Sequence, residues 1–247
     1  MEFDAVILAG GKSSRLGGVP KSRLVYDGAT LLERSLRAAH GARGVVVVGP
    51  DPGNLPDGVL NCREDPPFAG PAAAIAAGLS AVAADHAARG GAVGPAPLTL
   101  VLACDMPRVE SAVRALIKAL EGDGPDSTAL SATPAREDAP ETDGVMAVSG
   151  DGRRQPLLGF YGTVALQRCV ADAARRGALE NASVFALLAS LEVREVRVPS
   201  GSTDDVDTWD DATALGISGP VQGHDPDGRS GAPQLNSTLE ANGEEPG

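Results

Sequence analysis

Residues 8 to 24 read Leu-Ala-Gly-Gly-Lys-Ser-Ser-Arg-Leu-Gly-Gly-Val-Pro-Lys-Ser-Arg-Leu, a glycine-rich stretch that leaves an apolar run and carries Lys12, Arg15, Lys21 and Arg23. Gly10 and Gly11 are free to take positive φ and to bring backbone N–H groups close to a ligand, which makes a concave anion site. Arg15 and Lys21 are placed to neutralise phosphate oxygens, each close contact being worth about 4 kcal/mol at an effective dielectric near ~20 before desolvation. A bare Gly-Gly would be an ordinary turn, but this combination of glycines and cations is too long for that. Two familiar phosphate loops fail on spacing. A Walker A loop needs glycine where Val6 stands, and Gly10-Gly11-Lys12 does not satisfy G-x-G-x-x-G.

The second kind of chemistry is carboxylate. In Leu102-Ala-Cys-Asp-Met-Pro107, Asp105 follows an apolar run directly, so it projects from the carboxyl end of a strand, where open α/β sheets place ligands. Mg²⁺ prefers a few carboxylates together with water and substrate phosphates, so Asp105 and one more acid suffice, and Asp207 is the candidate for the second. A helix-cap role for Asp105 is weakened by Pro107, whereas for Asp207 the cap reading is nearly as good, because Thr208-Trp-Asp-Asp can open a helix. Asp65, ahead of Gly70-Pro71, is a candidate contact for base, ribose or acceptor, or a plain turn residue. Arg154 and Gln155 are candidates for the acceptor side, and the lone Trp209 reads as a core residue. Cys62, Cys104 and Cys169, like His40, His86 and His224, are scattered, which leaves no zinc-type cluster and no disulfide framework.

The elements that must position these groups follow from periodicity. Ala5–Leu8, Val45–Val48, Thr99–Leu102 and Val193–Val198 read as buried strands; Leu31–Ala39, Pro71–Ala84 and Val109–Leu120 read as helices between them. Such alternation predicts an α/β fold with a mostly parallel sheet covered on both faces. Further on, Thr128–Ala132, Val145–Val148 and Pro156–Tyr161 are expected as short strands before a helix at Val164–Ala174, and Asp85–Pro97 and Thr133–Asp143 as exposed loops. Residues 1–215 form one expected domain, and the Gly- and Pro-rich residues 216–247 an expected disordered acidic tail.

With 33 acidic against 21 basic residues the net charge of −12 argues against a coat for nucleic acid or anionic lipid, so a polyanionic ligand depends on the local cations of the first loop. A start on Phe3–Leu8, without a basic n-region or cleavage site, predicts a soluble cytoplasmic protein with no membrane span.

The loop signature, L-A-G-G-x-S-x-R-L-G with a following lysine, resembles that of the MobA-like nucleotidyltransferases, and among them most closely the molybdenum cofactor guanylyltransferases. Arg63-Glu-Asp-Pro-Pro-Phe-Ala-Gly-Pro71, Leu102-Ala-Cys-Asp-Met-Pro107, Arg154-Gln-Pro-Leu-Leu-Gly-Phe-Tyr161 and Asp205-Val-Asp-Thr-Trp-Asp-Asp211 are similar to further family elements in the family's order, covering the chain almost to Leu215. Pro20 stands where the guanylyl group usually has Asp, and Asp207 where it often has Asn. The resemblance implies a three-layer Rossmann-like nucleotidyltransferase fold and a Mg²⁺-dependent transfer of GMP from GTP to molybdopterin. Implied roles are catalysis for Arg15, Lys21 and Asp105; nucleotide contacts for Leu8, Ala9, Gly10, Gly11, Lys21, Asp65, Gly70, Pro71 and Asp105; and metal ligation for Asp105 and Asp207. Ala9-Gly10-Gly11, where related cytidylyltransferases carry Ala-Ala-Gly, favours GTP over CTP. It also implies transient contact with molybdoenzymes or other cofactor-biosynthesis proteins. The alternatives are a sister transferase using CTP or GTP with another phosphorylated acceptor, and a catalytically silent nucleotide-binding module.

Overall fold

In the computed structural model, which describes residues 1–90, 94–122 and 142–220, the apolar runs become the centre of a seven-stranded sheet. Strand β1 (Phe3–Leu8) lies between β4 (Val45–Val48) and β6 (Leu98–Ala103), parallel to both. Outside β4 runs β5 (Val59–Cys62), and beyond β6 come β8 (Arg154–Gly162), β7 (Gly144–Val148) and β9 (Val193–Arg197), giving the order β5-β4-β1-β6-β8-β7-β9. Among the described strands of this sheet only β8 runs against its neighbours. A small hairpin, β2 (Val25–Tyr26) with β3 (Ala29–Thr30), stands apart.

Alternation along β1 explains the layers. Phe3, Ala5 and Ile7 face one core, shared with α1 (Leu31–Ala38) and α3 (Val109–Glu121). Val6 and Leu8 face the other, covered by α2 (Pro71–Ala88), while Val101 and Tyr161 meet α4 (Thr163–Arg175) and the short α5 (Val184–Leu187) on that side. Ile7 and Leu100 are completely buried, each contributing about 1.5–3 kcal/mol of burial. Gly78 sets the approach of α2, since a Cβ there would stand 2.5 Å from Val6 Cγ1. Asp4, buried at the start of β1, accepts N–H bonds from Gly44 and Ala96, both at 3.0 Å, which offsets its desolvation.

Local signals set the helix starts. Thr30 and Glu33 form a capping box for α1, and Pro71 occupies the first turn of α2. The last helix, α6 (Trp209–Leu215), is capped by Thr208 with Asp211 in the reciprocal position. Helix α2 runs on to Ala88, so the segment expected as a loop from Asp85 is helical for its first turn. Asp85-His86-Ala87-Ala88 contains no glycine or proline to stop the helix, and its two alanines are the strongest helix formers. The expected strand at Thr128–Ala132 and nearly all of the loop at 133–143 lie outside the described residues, as does the expected tail beyond residue 220. Packing continues past Leu215: Ile217 is buried and Ser218 pairs with Val25. Among the described residues no helix is long and apolar enough to cross a membrane.

Candidate active site

A cavity of about 520 Å³ opens where β1 and β6 end. From the first loop it is lined by Leu8, Gly10, Gly11, Arg15 and Lys21. Gly70 and Pro71 come from the start of α2, and Asp105 and Asp207 complete the set. Two candidates fall elsewhere. Ala9 does not line the cavity; its N–H is engaged with Val48 O at 2.8 Å, in the sheet. Asp65 is exposed and borders a separate groove beside α2 and α4, whereas its neighbour Glu64 is buried and lines the cavity. The chain bends at Asp65, beyond the end of β5, so motif spacing does not reveal which acid of the Glu-Asp pair faces inward.

The loop takes its shape from a few backbone positions. Gly11 adopts φ 130, and Ser13 is left-handed at φ 43; Gly10 stays outside the positive-φ region. Behind the loop Gly49 sits so close that a Cβ on it would be 2.8 Å from the Ala9 carbonyl carbon. Two short 3₁₀ turns follow, Ser14–Leu16 and Lys21–Arg23. Leu16 and Leu24, both fully buried, pack with Leu31, Val206, Ala212 and Ile217. This satellite cluster carries Lys21 to the segment around Asp207, 186 residues later in sequence.

Asp105 is fixed from both sides by the main chain. Cys104 N–H donates to Leu8 O at 3.0 Å, and Val206 N–H donates to Asp105 O at 3.1 Å. Lys21 Nζ then bridges two carboxylates, 2.9 Å from Asp105 Oδ2 and 2.6 Å from Asp207 Oδ1. Burial of Lys21 disfavours its charge, but the carboxylates of Asp105 and Asp207 outweigh this and raise its pKa above 10.5, so the ammonium is secure at neutral pH. Arg15 is looser, its guanidinium 3.8 Å from Asp207 Oδ2 and largely exposed. Neither aspartate caps a helix: α3 has Arg108 at its cap position and α6 has Thr208.

Asp205 joins the group. Carboxylate oxygens of Asp105, Asp205 and Asp207 all lie within 4.8 Å of one another, an all-oxygen set suited to a hard divalent cation. Burial first, then the charges of Asp105 and Asp207, raise the Asp205 pKa. Repetition of Asp at alternate positions 205 and 207 was the available signal for it. Cys104, next to Asp105, is buried and its thiol is pushed up to about 12, chiefly by burial, so it supplies neither a nucleophile nor a thiolate.

Alongside lies a groove of about 290 Å³ lined by Gln155, Arg153 and Asp205 among others. Arg154 is not part of it; its guanidinium is 3.8 Å from Glu195 and stacks over Phe185. Trp209 is not a core residue but 41 % exposed, at the first position of α6.

A cationic glycine loop whose lysine meets a strand-end carboxylate at one cavity, in a mostly parallel α/β sheet, is the arrangement of an enzyme of the nucleotidyltransferase class. Residues 5–194 match the family model of the MobA-like NTP transferase domain, and the chain belongs to that family. A probable molybdenum cofactor guanylyltransferase of Clostridium perfringens is 30% identical over 110 residues, 44% of this chain and 50% of the relative; the chain thus spans about half the length of the curated relatives it matches. Among solved structures, molybdopterin-guanine dinucleotide biosynthesis protein A of Archaeoglobus fulgidus superposes with a TM-score of 0.54 at 18% identity, covering 87% of this chain and 96% of that one. The 2-C-methyl-D-erythritol 4-phosphate cytidylyltransferase of Thermus thermophilus gives 0.55 at 21%, covering 87% and 98%. Identities this low speak to the fold alone.

Proposed function

We propose that the protein transfers GMP from GTP to a molybdopterin-type phosphorylated acceptor in the cytoplasm, with Mg²⁺ as cofactor and pyrophosphate as the second product. The observation that carries this reading is Lys21 Nζ held between Asp105 and Asp207 beside the glycine loop, which puts a permanent cation and a pair of cation-binding carboxylates against one cavity. Support for GTP comes from Ala9-Gly10-Gly11 and from the guanylyltransferase relatives.

The acceptor's phosphate oxygen attacks the α-phosphorus, the bond to the β-phosphate oxygen breaks, and pyrophosphate leaves in line. Little proton transfer is needed, so catalysis rests on positioning and on stabilising charge. Lys21 and Arg15 neutralise phosphate oxygens, and N–H groups of the loop at Gly10 and Gly11 cradle them. Asp105 and Asp207, with Asp205 beside them, would hold the metal ion, which when bound neutralises charge on the triphosphate. The groove at Gln155 and Arg153, sharing Asp205 with the carboxylate group, is where the acceptor enters.

The test is pyrophosphate release from pure protein with Mg²⁺, molybdopterin and each of the four nucleoside triphosphates. GTP is expected to be the substrate, and Lys21→Ala and Asp105→Ala are expected to abolish release with unchanged circular dichroism. Unimpaired turnover in either variant refutes the assignment, and preference for CTP refutes the choice of base.

A further inference from the structure

Strand β8 leaves its ladder where it passes the site. Met146 of β7 pairs with Gly159, and the next residue, Ala147, pairs with Gln155, so Pro156, Leu157 and Leu158 bulge away from β7. On the other side the pairing with β6 ends at Leu158, opposite Leu102. Pro156 and Leu157 thus pair with neither neighbour among the described residues. Such a bulge re-aims side chains and leaves carbonyls in need of donors. For the Pro156 carbonyl the donor is Tyr161, whose hydroxyl donates to it at 2.8 Å. Gly159 allows this reach, since a Cβ there would stand 2.7 Å from Tyr161 Oη and 2.8 Å from its Cζ. Tyr161 is fully buried in one cluster with Val101, Leu166 and Leu187. Burial pushes its pKa up, so the hydroxyl keeps its proton and remains a donor.

The two residues that flank Pro156 meet different spaces. Leu157 lines the cavity that holds Lys21 and Asp105, and Gln155 lines the neighbouring groove with Asp205. The bulge therefore contributes to the walls of both. Transfer requires an acceptor oxygen to meet the α-phosphorus in line, and a misplacement of about 1 Å costs up to ~100-fold in rate. Resting on the nucleotidyltransferase reading, we infer that the β8 bulge is the element that aligns the acceptor, with Tyr161 as its positioning residue. Its hydroxyl fixes Pro156 and with it the offset between Leu157 on the nucleotide side and Gln155 on the acceptor side. Tyr161 lines neither space, so it acts through the main chain and not by contact.

Steady-state pyrophosphate release by the full chain with Mg²⁺, molybdopterin and the preferred nucleoside triphosphate, together with nucleotide Kd from calorimetry, separates alignment from folding. Tyr161→Phe removes the donor and keeps the ring. Its acceptor KM is expected to rise about tenfold, with the nucleotide Kd within about twofold of the wild type. A variant that only folds less well loses kcat in proportion to its folded fraction and keeps both binding constants. Gln155→Ala, at the partly exposed end of the bulge, is expected to raise the acceptor KM as well. The double variant should be within about twofold of the poorer single one, because both changes act on one element. An unchanged acceptor KM in Tyr161→Phe, a nucleotide Kd that weakens along with it, or additive effects overturn the inference. Where Tyr161→Phe does not fold, an unchanged acceptor KM in Gln155→Ala overturns it instead. Wild-type turnover without these shifts in the variants leaves the transferase reading intact, whereas no wild-type turnover with any of the four triphosphates removes both.

Discussion

Lys21 occupies the space between Asp105 and Asp207, the carboxylates proposed above to hold a divalent ion, so replacing it should strengthen metal binding in the nucleotide-free protein while destroying activity. At 2.9 and 2.6 Å the two contacts have gross attractions of about 6 kcal/mol each at an effective dielectric of ~20, most of which desolvation cancels. For the largely buried bond to Asp105 a net ~1.5–3 kcal/mol is appropriate. Asp207 is half exposed, which screens its contact to about 0.2–1 kcal/mol. An incoming cation must displace about 2–4 kcal/mol of pairing, so Lys21→Met should bind Mn²⁺ about thirtyfold to several hundredfold more tightly than the wild type. Electron paramagnetic resonance of free Mn²⁺ measures this directly. With a non-hydrolysable GTP analogue present the gap should narrow, because phosphates then draw the lysine away from the acids. Equal Mn²⁺ affinities of the two proteins without nucleotide would refute the reasoning.

Other consequences are simpler. The raised pKa of Asp205 means the folded state holds a proton more tightly than the unfolded one, so metal-free stability should fall as pH rises from about the ordinary 3.8 through the higher folded value. Asp205→Asn should melt above the wild type at pH 7 in EDTA and match it below that window; a wild type that gains stability over the same rise contradicts this. Gly78→Ala forces a Cβ to 2.5 Å from Val6 Cγ1 and 3.0 Å from Val48 Cγ2, so despite better helix propensity it should lose about 1–2 kcal/mol and a few degrees of Tm. A melting point at or above wild type rejects the close approach. Cys104, buried and with its thiol pushed up to about 12, should resist thiol reagents in the native protein at pH 8 and react once it is denatured, as counted by mass spectrometry.

Legibility in the sequence followed how unusual each pattern is. Strands β1, β4 and β6 were readable because central parallel strands are continuous apolar runs, whereas β5 was not, since Asn61 interrupts an edge strand that stays partly exposed. Lys21 stood out in the glycine-rich loop, Asp105 at a strand end and Asp207 within Asp205-Val-Asp-Thr-Trp-Asp-Asp211, and the structure brings all three together. Which acid of Glu64-Asp65 turns inward was not readable, because the answer depends on the path of the chain between β5 and α2. Asp205 was hidden for a related reason: its membership of the acidic group depends on the main-chain bond from Val206 to Asp105, a contact between segments far apart in the chain.

That same bond ties the segment after β9 to the cavity. The family match closes at residue 194, yet two of the three clustered carboxylates, Asp205 and Asp207, come after it. They are held by Val206, Ala212 and Ile217 packing on Leu16 and Leu24, which flank Lys21 in the first loop. Helix α6 therefore bears on the glycine loop through an apolar contact, and the position of Lys21 relative to Asp207 is set by side chains that do not line the cavity. Burial of Leu16 and Val206 is complete, so a shift of either segment would open a cavity in that cluster, which makes the relative placement of cation and carboxylate energetically specific.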